Sequence, residues 1–195
     1  MNEQQSLCTT TCNSQSKSSC SKVILVDLTL PSKSGKSLRC YCILDEQSSS
    51  SFVHPKAIDF FGVSDQFPSQ EYDLCTLSSL KTRTTGLLVS GLRMKGVTEK
   101  RSIALPTMLT NQLIKSEYKE EVASPSTVKA YKHISHYAKF FPEIDLNAEV
   151  FLLVGRNCGP AMATKCFGHR APFVHHTSIG SVSYTHLTLP TNREV

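Results

Sequence analysis

The chain has 195 residues, of which 39% are hydrophobic and 8% aromatic, and this size and composition suit one domain with a lean core. Its formal net charge of +5 comes from dispersed lysines and arginines, so no basic block marks a nucleic-acid-binding tail. No stretch approaches the roughly 18 to 20 consecutive apolar residues of a membrane span, and the polar N-terminus lacks the apolar centre of a secretory signal. These features predict a cytoplasmic, intracellular protein whose eight cysteines are reduced thiols.

The N-terminal part of the chain predicts a polar leader followed by a hairpin. Residues 1–20 are rich in Ser and Cys, and such low-complexity composition predicts a disordered segment. Residues 21–30 are apolar and largely β-branched, and residues 38–44 form the predicted returning strand. The Pro-, Ser- and Gly-containing segment 31–36 supplies the turn. The predicted hairpin ends at Asp45.

The middle of the chain predicts one short helix and then more strands. Residues 55–61 begin with Pro and are closed by Gly62, which is typical of a short helix. Candidate strands punctuated by glycines follow at 71–78, 84–92 and 102–105. This is the pattern of the hairpin-rich middle of a small β-barrel.

The sequence changes character over about 106–147. Residues 126–141 place apolar side chains at helical spacing, which predicts an insertion of one or two helices. Residues 149–154 then form a predicted buried strand, and residues 159–166 a short helix. The resulting class is mainly β (α+β), with a helical insertion.

The C-terminal string 183–195 resembles a translated cloning or sequencing read-through rather than the end of a domain. We therefore expect a non-native tail at 183–195, a native domain over 21–182, and a natural chain that continues further.

Two short segments carry the chemistry that the sequence suggests. In the first, an apolar run delivers one aspartate into a polar turn, Asp45-Glu46-Gln47-Ser48. In the second, an apolar run stops at Gly155-Arg156-Asn157. An aspartate at a strand-to-turn junction is also a common structural feature, so the pattern by itself leaves both interpretations open.

With their flanks, these segments resemble the retropepsin-like aspartic peptidase domain of BEL/Pao-type retrotransposon polyproteins. The resemblance covers roughly residues 7–180, and its motifs fall in the family's order. The matching motifs are Ile43-Leu44-Asp45-x-Gln47-Ser48, Val89-x-Gly91-Leu92, Ile103-x-Leu105-Pro106 and Leu152-Leu153-Val154-Gly155-x-Asn157-Cys158. It implies a retropepsin-like acid-protease β-barrel and an aspartic endopeptidase that cuts its own polyprotein.

Asp45 is the catalytic residue that the resemblance implies. Aspartic peptidases use two carboxylates that share one proton, so that one acts as base while the other polarises the scissile carbonyl. The chain has no second turn of this kind, so the partner carboxylate is expected to be Asp45 of a second copy in a two-fold homodimer. The expected partners are thus a second copy and a polyprotein substrate, with no membrane and with nucleic acid unlikely.

The turn departs from the family pattern, which reads Asp-Thr/Ser-Gly. Glu46 replaces the hydroxyl residue and Gln47 replaces the glycine, whereas Ser48 matches the expected small residue. Gly155 matches the glycine of the supporting strand, and Arg156 with Asn157 is expected to make structural hydrogen bonds. The alternative function is therefore a catalytically inactive protease-like domain that serves as a dimerisation or spacer element.

Other chemistry has weaker support in the sequence. Cys8, Cys12 and Cys20 lack a well-spaced fourth ligand, so no metal and no cofactor are expected. Cys40 and Cys42 are predicted to share one strand face as small buried hydrophobes. The other loose metal candidates are His133, His136, Cys166, His169, His175 and His176. No serine-hydrolase elbow or phosphate-binding loop occurs. A nucleic-acid-binding module would need a surface stripe of aromatic and basic residues, which the sequence alone does not show.

Overall fold

The computed structural model describes residues 22–75, 81–114 and 122–184. Within these ranges lie twelve β-strands and three short α-helices. The strands are β1 (Val23–Thr29), β2 (Ser37–Leu44), β3 (Phe52–Val53), β4 (Ser69–Cys75), β5 (Lys81–Val89), β6 (Arg93–Gly96), β7 (Ile103–Ala104), β8 (Met108–Thr110), β9 (Val150–Val154), β10 (Thr164–Phe167), β11 (Phe173–Thr177) and β12 (Gly180–Tyr184). The helices are α1 (Pro55–Phe61), α2 (Pro125–Lys129) and α3 (Gly159–Met162), with 3-10 turns at Pro31–Lys33, Ser64–Gln66 and Ser135–Phe140. The expected mainly β class is confirmed.

The predicted N-terminal hairpin is present. β1 and β2 pair antiparallel, with Val23 opposite Ile43 and Thr29 opposite Ser37. Successive side chains of a strand point to opposite faces, and here both faces are covered. Cys40 and Cys42 belong to the main core, while Tyr41 belongs to a second cluster on the opposite face. Both thiols are free and fully buried, as predicted.

Nine strands form one sheet in the order β4-β5-β8-β3-β9-β2-β1-β6-β7. The chain leaves β2, turns at Asp45 and returns as β3, yet β9 lies between these two strands. β9 runs parallel to β2, with Leu44 opposite Val154, and antiparallel to β3, with Phe52 opposite Leu153. The late strand β9 is therefore hydrogen-bonded to both strands that carry the aspartate turn. Between the described residues, no ladder joins the edge strand β4 to the edge strand β7.

The remaining strands form a separate antiparallel sheet in the order β10-β11-β12. Ser183 pairs with Val174 and is buried, so the folded part continues two residues beyond the predicted boundary at 182. The rest of the predicted tail, and the predicted leader 1–20, lie outside the described residues.

The predicted insertion differs from a helical unit. β8 lies inside its range and joins the main sheet, while the only helical pieces described in 122–147 are α2 and the 3-10 turn Ser135–Phe140. Ser, Thr, His, Tyr and Phe are weak helix formers, and they dominate residues 126–141. The apolar residues at helical spacing nevertheless share one cluster, in which Val128, Ile134 and Phe141 pack with Val174 of β11.

The two short helices predicted at 55–61 and 159–166 have different outcomes in the fold. The helix at 55–61 has the predicted bounds, with Gly62 in a left-handed conformation at its end. The predicted helix at 159–166 ends at Met162, because Thr164–Phe167 pairs with β11 instead. Of the helices in the described part of the chain, none has the length and apolar character that crossing a bilayer requires.

Candidate functional site: the aspartate turn and its supporting strand

Asp45 lies where β2 ends. Its backbone N–H donates to the carbonyl oxygen of Val154 at 2.9 Å, which continues the β2–β9 ladder by one residue. The side chain is half-buried. Asp45 is thus the first residue of the turn, and its backbone is hydrogen-bonded to the supporting strand β9.

The Asp45 carboxylate organises its own turn. Oδ1 accepts hydrogen bonds from the backbone N–H of Gln47 at 2.9 Å and of Ser48 at 3.3 Å. An Asp side chain that binds the backbone two residues on replaces a backbone turn contact and fixes its own rotamer. None of the described residues donates to Oδ2. The carboxylate is therefore oriented by one oxygen, and the other remains open to a further group.

Glu46 and Gln47 are both exposed. The Glu46 carboxylate forms an ion pair with the Lys22 ammonium, whose side chain is only 9% exposed. The backbone of Lys22 also binds the end of β2, because its carbonyl oxygen accepts from the N–H of Leu44 at 2.8 Å. The Glu46 charge is therefore directed to Lys22 and balanced there.

The charges of this ion pair act on His175 of β11. Burial lowers the pKa of His175, the Lys22 charge lowers it further, and the Glu46 charge opposes both effects. The three-stranded sheet thus contributes a histidine to the surroundings of the aspartate turn.

Gly155 permits the two loops to touch. A Cβ atom at this position would lie 2.5 Å from the carbonyl oxygen of Ser50 and 2.7 Å from that of Ser48. Real Cβ atoms do not approach backbone atoms so closely, so any side chain at position 155 would separate β9 from the turn. The close approach of the two backbones therefore requires a glycine at position 155.

Hydrogen bonds then tie the loops together. The buried Ser51 hydroxyl accepts from the backbone N–H of Gly155 at 3.0 Å and donates to Oδ1 of Asn157 at 2.6 Å. The backbone N–H of Arg156 donates to the carbonyl oxygen of Ser48 at 2.9 Å. Arg156, through its backbone, and Asn157, through its side chain, thus both take part in hydrogen bonds between the two loops.

The structure thus brings the seven predicted site residues into two adjoining loops. Sequence reasoning missed Lys22 and Ser51, which balance Glu46 and bridge the loops. Ser51 is the last residue of a serine run and precedes an apolar strand, which could have marked it as the one that turns inward. Nothing in the local pattern distinguishes Lys22.

Four of the five other aspartates in the described chain have partners of their own, and the fifth, Asp65, is exposed on the 3-10 turn Ser64–Gln66. Asp27 pairs with Arg39 at 3.0 Å, Asp59 accepts from the Ser64 hydroxyl at 2.7 Å, Asp73 lies 3.5 Å from Arg83, and Asp145 accepts from the N–H of Asn147 at 2.9 Å. No contact joins any of them to Asp45.

The loose metal candidates do not assemble into a site. Among the residues that the structure describes, no group of three or more His, Cys, Asp or Glu side chains could hold a metal ion. His133 instead binds the backbone, with Nε2 at 3.0 Å from the carbonyl oxygen of Arg170. Cys8, Cys12 and Cys20 lie outside the described residues.

Comparison of the chain with models of protein families, with curated proteins and with solved structures finds no match. The function of the chain is therefore inferred from the residues and geometry of the aspartate turn.

Proposed function

We propose that the chain is a retropepsin-like aspartic endopeptidase module of a BEL/Pao-type retroelement polyprotein. One observation carries the proposal: β9 lies between β2 and β3, and Gly155 at its end packs against the Asp45 turn. This arrangement supports the interpretation of two distant sequence motifs as one site.

The carboxylate geometry supports the chemistry. Oδ1 of Asp45 is occupied by the N–H of Gln47, and Oδ2 faces no described donor. In a two-fold homodimer, two such turns would bring two carboxylates together, and like charges at short range leave one of them protonated. The ionised carboxylate takes a proton from water as the oxygen attacks the scissile carbonyl, and the protonated one donates to the carbonyl oxygen. The substrate class is a peptide segment of the polyprotein.

The second candidate is a catalytically inactive protease-like domain that acts as a dimerisation or spacer element. The observation that favours it is the identity of the two residues that follow Asp45. Gln47 carries a side chain where substrate access calls for glycine, and Glu46 cannot donate a hydrogen bond across a dimer when ionised and paired with Lys22. In this alternative, the packing of Gly155 on the turn maintains the fold of the domain but supports no catalysis.

A cleavage assay separates the two candidates. The purified chain is incubated from micromolar to high-micromolar concentration with a mixed peptide library at pH 4 to 7, and products are identified by mass spectrometry. We expect specific cleavage only at the high-micromolar end, where two copies associate, and not at micromolar concentration. Cleavage should be greatest at mildly acidic pH, because the carboxylate pair must hold one proton.

Asp45→Asn is the decisive variant. An Asn side-chain oxygen can still accept from the N–H groups of Gln47 and Ser48, so the turn is retained while the carboxylate is lost. We expect cleavage to disappear with an unchanged circular dichroism spectrum and unfolding midpoint. Equal cleavage by the Asn variant would remove Asp45 from the mechanism. Absence of cleavage by the wild-type chain at every concentration would favour the inactive domain.

A further inference from the structure

Aromatic and basic side chains of the three-stranded sheet and of a neighbouring 3-10 turn form one surface, here named the aromatic-basic face. Its members are Tyr137, Lys139, Phe140, Lys165, Phe167 and His176. Lys165 pairs with His176 across β10 and β11, and Phe167 pairs with Val174, so all four side chains point to the same side of the three-stranded sheet. The 3-10 turn Ser135–Phe140 lies over this side and adds the remaining members.

Ring contacts connect the members of this face. The rings of Tyr137 and Phe167 lie 5.2 Å apart, and those of Phe140 and His176 lie 6.1 Å apart. The Lys139 ammonium lies 5.1 Å from the centre of the Phe140 ring. Phe140 keeps 40% of its surface exposed, and both lysines are exposed. The face therefore offers an accessible aromatic ring with cations on its borders.

The segments that form the aromatic-basic face carry positive charges and no negative ones. Residues 122–142 and 150–184, which supply every member of the aromatic-basic face, contain no Asp or Glu. Lys129, Lys132 and Arg170 add further exposed cations to the same segments. A chain with a net charge of only +5 thus concentrates positive charge in one part of its fold.

The acidic residues that lie between these two segments in sequence contact other groups. Glu143, three residues after Phe140, lines a groove with Leu25 and Arg39. Glu149 pairs with Lys56 of α1 at 3.3 Å, and Asp145 accepts from the backbone N–H of Asn147. None of these three acidic residues forms an ion pair with Lys139 or Lys165 in the described part of the chain.

From these observations we propose that the aromatic-basic face binds single-stranded nucleic acid, with phosphates on Lys139 and Lys165 and a base stacked on Phe140. Successive bases stack on aromatic side chains while cations follow the backbone, and this mode needs no sequence-specific contact. The proposal is independent of Asp45, and it replaces the sequence-based expectation that nucleic acid is an unlikely partner.

Charge complementarity and ring placement favour this occupant over a membrane or an acidic peptide. Membrane-surface segments bury an extended apolar face made of several exposed Leu, Phe or Trp side chains. Among the described members of the aromatic-basic face, Phe140 is the one large apolar side chain that is exposed, and the exposed Ile144 and Leu146 line a separate groove with Leu25 and Arg39. An acidic peptide would satisfy the lysines and leave the exposed ring of Phe140 unexplained.

The test is fluorescence anisotropy of the full chain with a labelled 20-nucleotide oligo-uridine at several salt concentrations. We expect Phe140→Ala to weaken binding roughly tenfold, the loss of one base stack. Replacing both Lys139 and Lys165 with Gln should reduce the slope of log affinity against log salt by about 1.4, because about 0.7 counterion is released per phosphate contact on a single strand.

The chain provides a matched control. Lys36 lies 6.0 Å from the centre of the Phe60 ring, and Phe60 is 43% exposed, so this pair repeats the lysine-over-phenylalanine contact on another element. Asp59 is the chain neighbour of Phe60, and no such acidic neighbour adjoins Phe140. We expect Phe60→Ala and Lys36→Gln to leave oligonucleotide affinity unchanged, as should Asp45→Asn.

Three outcomes would overturn the proposal. They are equal weakening by the Phe60 and Phe140 variants, binding of poly-glutamate as tight as that of the oligonucleotide, and binding to phosphatidylserine vesicles without binding to the oligonucleotide. Preference for a single strand over the matched duplex, lost in Phe140→Ala, would support base stacking in particular.

Discussion

At the scale of single residues, the aspartate turn depends on two small groups, the hydrogen of Gly155 and the hydroxyl of Ser51. The first allows the backbone of β9 to reach the carbonyl oxygens of Ser48 and Ser50. The second satisfies the N–H of Gly155 inside the protein, where an unpaired donor costs about 1 to 3 kcal/mol. The position of Asp45 is therefore set by neighbours that carry no charge.

Gly155→Ala should strongly destabilise the fold. The added Cβ would meet three backbone atoms within 3.0 Å, and backbone cannot move aside as a flexible side chain can. We expect the free energy of unfolding to fall by about 3 kcal/mol, at the upper end of overpacking effects. Urea denaturation followed by circular dichroism measures it.

Gly159→Ala is the control for this prediction. Nothing lies within 4 Å of a Cβ at Gly159, which begins α3, and Ala favours a helix by up to about 1 kcal/mol over Gly. We expect this variant to be as stable as wild type or slightly more so. Similar losses at both glycines would contradict the close approach at Gly155.

At the scale of elements, α1 is a helix whose N-terminal cap is the side chain of a histidine, His54, which can gain or lose a proton. Nδ1 of His54 accepts from the backbone N–H of Lys56 at 3.2 Å, which requires that this nitrogen be unprotonated. Burial lowers the pKa of His54 from its ordinary value of 6.5, and the neighbouring Lys56 lowers it further. The helix cap is therefore coupled to pH.

His54→Asn should make stability less dependent on pH. Because the pKa of His54 is lower in the folded state, the unfolded chain binds more protons as pH falls below 6.5. The contribution of the neutral His54 cap to the free energy of unfolding is thus complete above pH 6.5 and is lost as the pH falls below that value. Asn caps without titrating, so at pH 5 the variant should exceed wild type by about 1 kcal/mol, the usual effect of a cap.

Urea denaturation at pH 8 and at pH 5 tests the prediction for His54. At pH 8 the two proteins should be nearly equal. Parallel pH curves for wild type and His54→Asn would mean that the cap does not titrate.

The buried hairpin makes a prediction about its thiols. Burial raises the pKa of Cys40 and of Cys42, and the thiolate is the form that reacts. Cys75 and Cys166 are exposed. Under native conditions at pH 8, iodoacetamide should label the exposed pair at least tenfold faster, measured by peptide mass spectrometry. Labelling of all four at one rate in urea is the control, and equal rates in the native state would contradict the double burial of β2.

At the scale of the whole molecule, one chain supplies one aspartate turn. A single carboxylate cannot act as acid and base in the same step, and Glu46 with Gln47 replaces the residues that shape the pair in the resembling family. We therefore expect the chain to be mostly monomeric at micromolar concentration and to lack pepstatin-sensitive cleavage there. Sedimentation velocity and a peptide assay at the same concentration check both statements. A tight dimer with cleavage that is lost on Asp45→Asn would contradict them.

The sequence by itself determined the elements whose signals are local. The apolar runs of β1 and β2, the Pro and Gly that bound α1, and the buried thiols of β2 all follow from residue type and spacing. The approach of Gly155 to the Asp45 turn was expected only from resemblance to a family and not from periodicity. The local predictions succeeded because a strand with two buried faces and a capped helix leave clear patterns in a short window.

Only the tertiary structure decided the features that join distant residues. β6 and β8 have four and three residues, too few for a periodic signal, and they are strands because they pair with β1 and β5. Lys22 balances Glu46 from 24 positions away, and the aromatic-basic face joins the 3-10 turn Ser135–Phe140 to β10 and β11. The physical reason is that strand pairing and side-chain convergence depend on which segments become neighbours in space, and no local pattern encodes that.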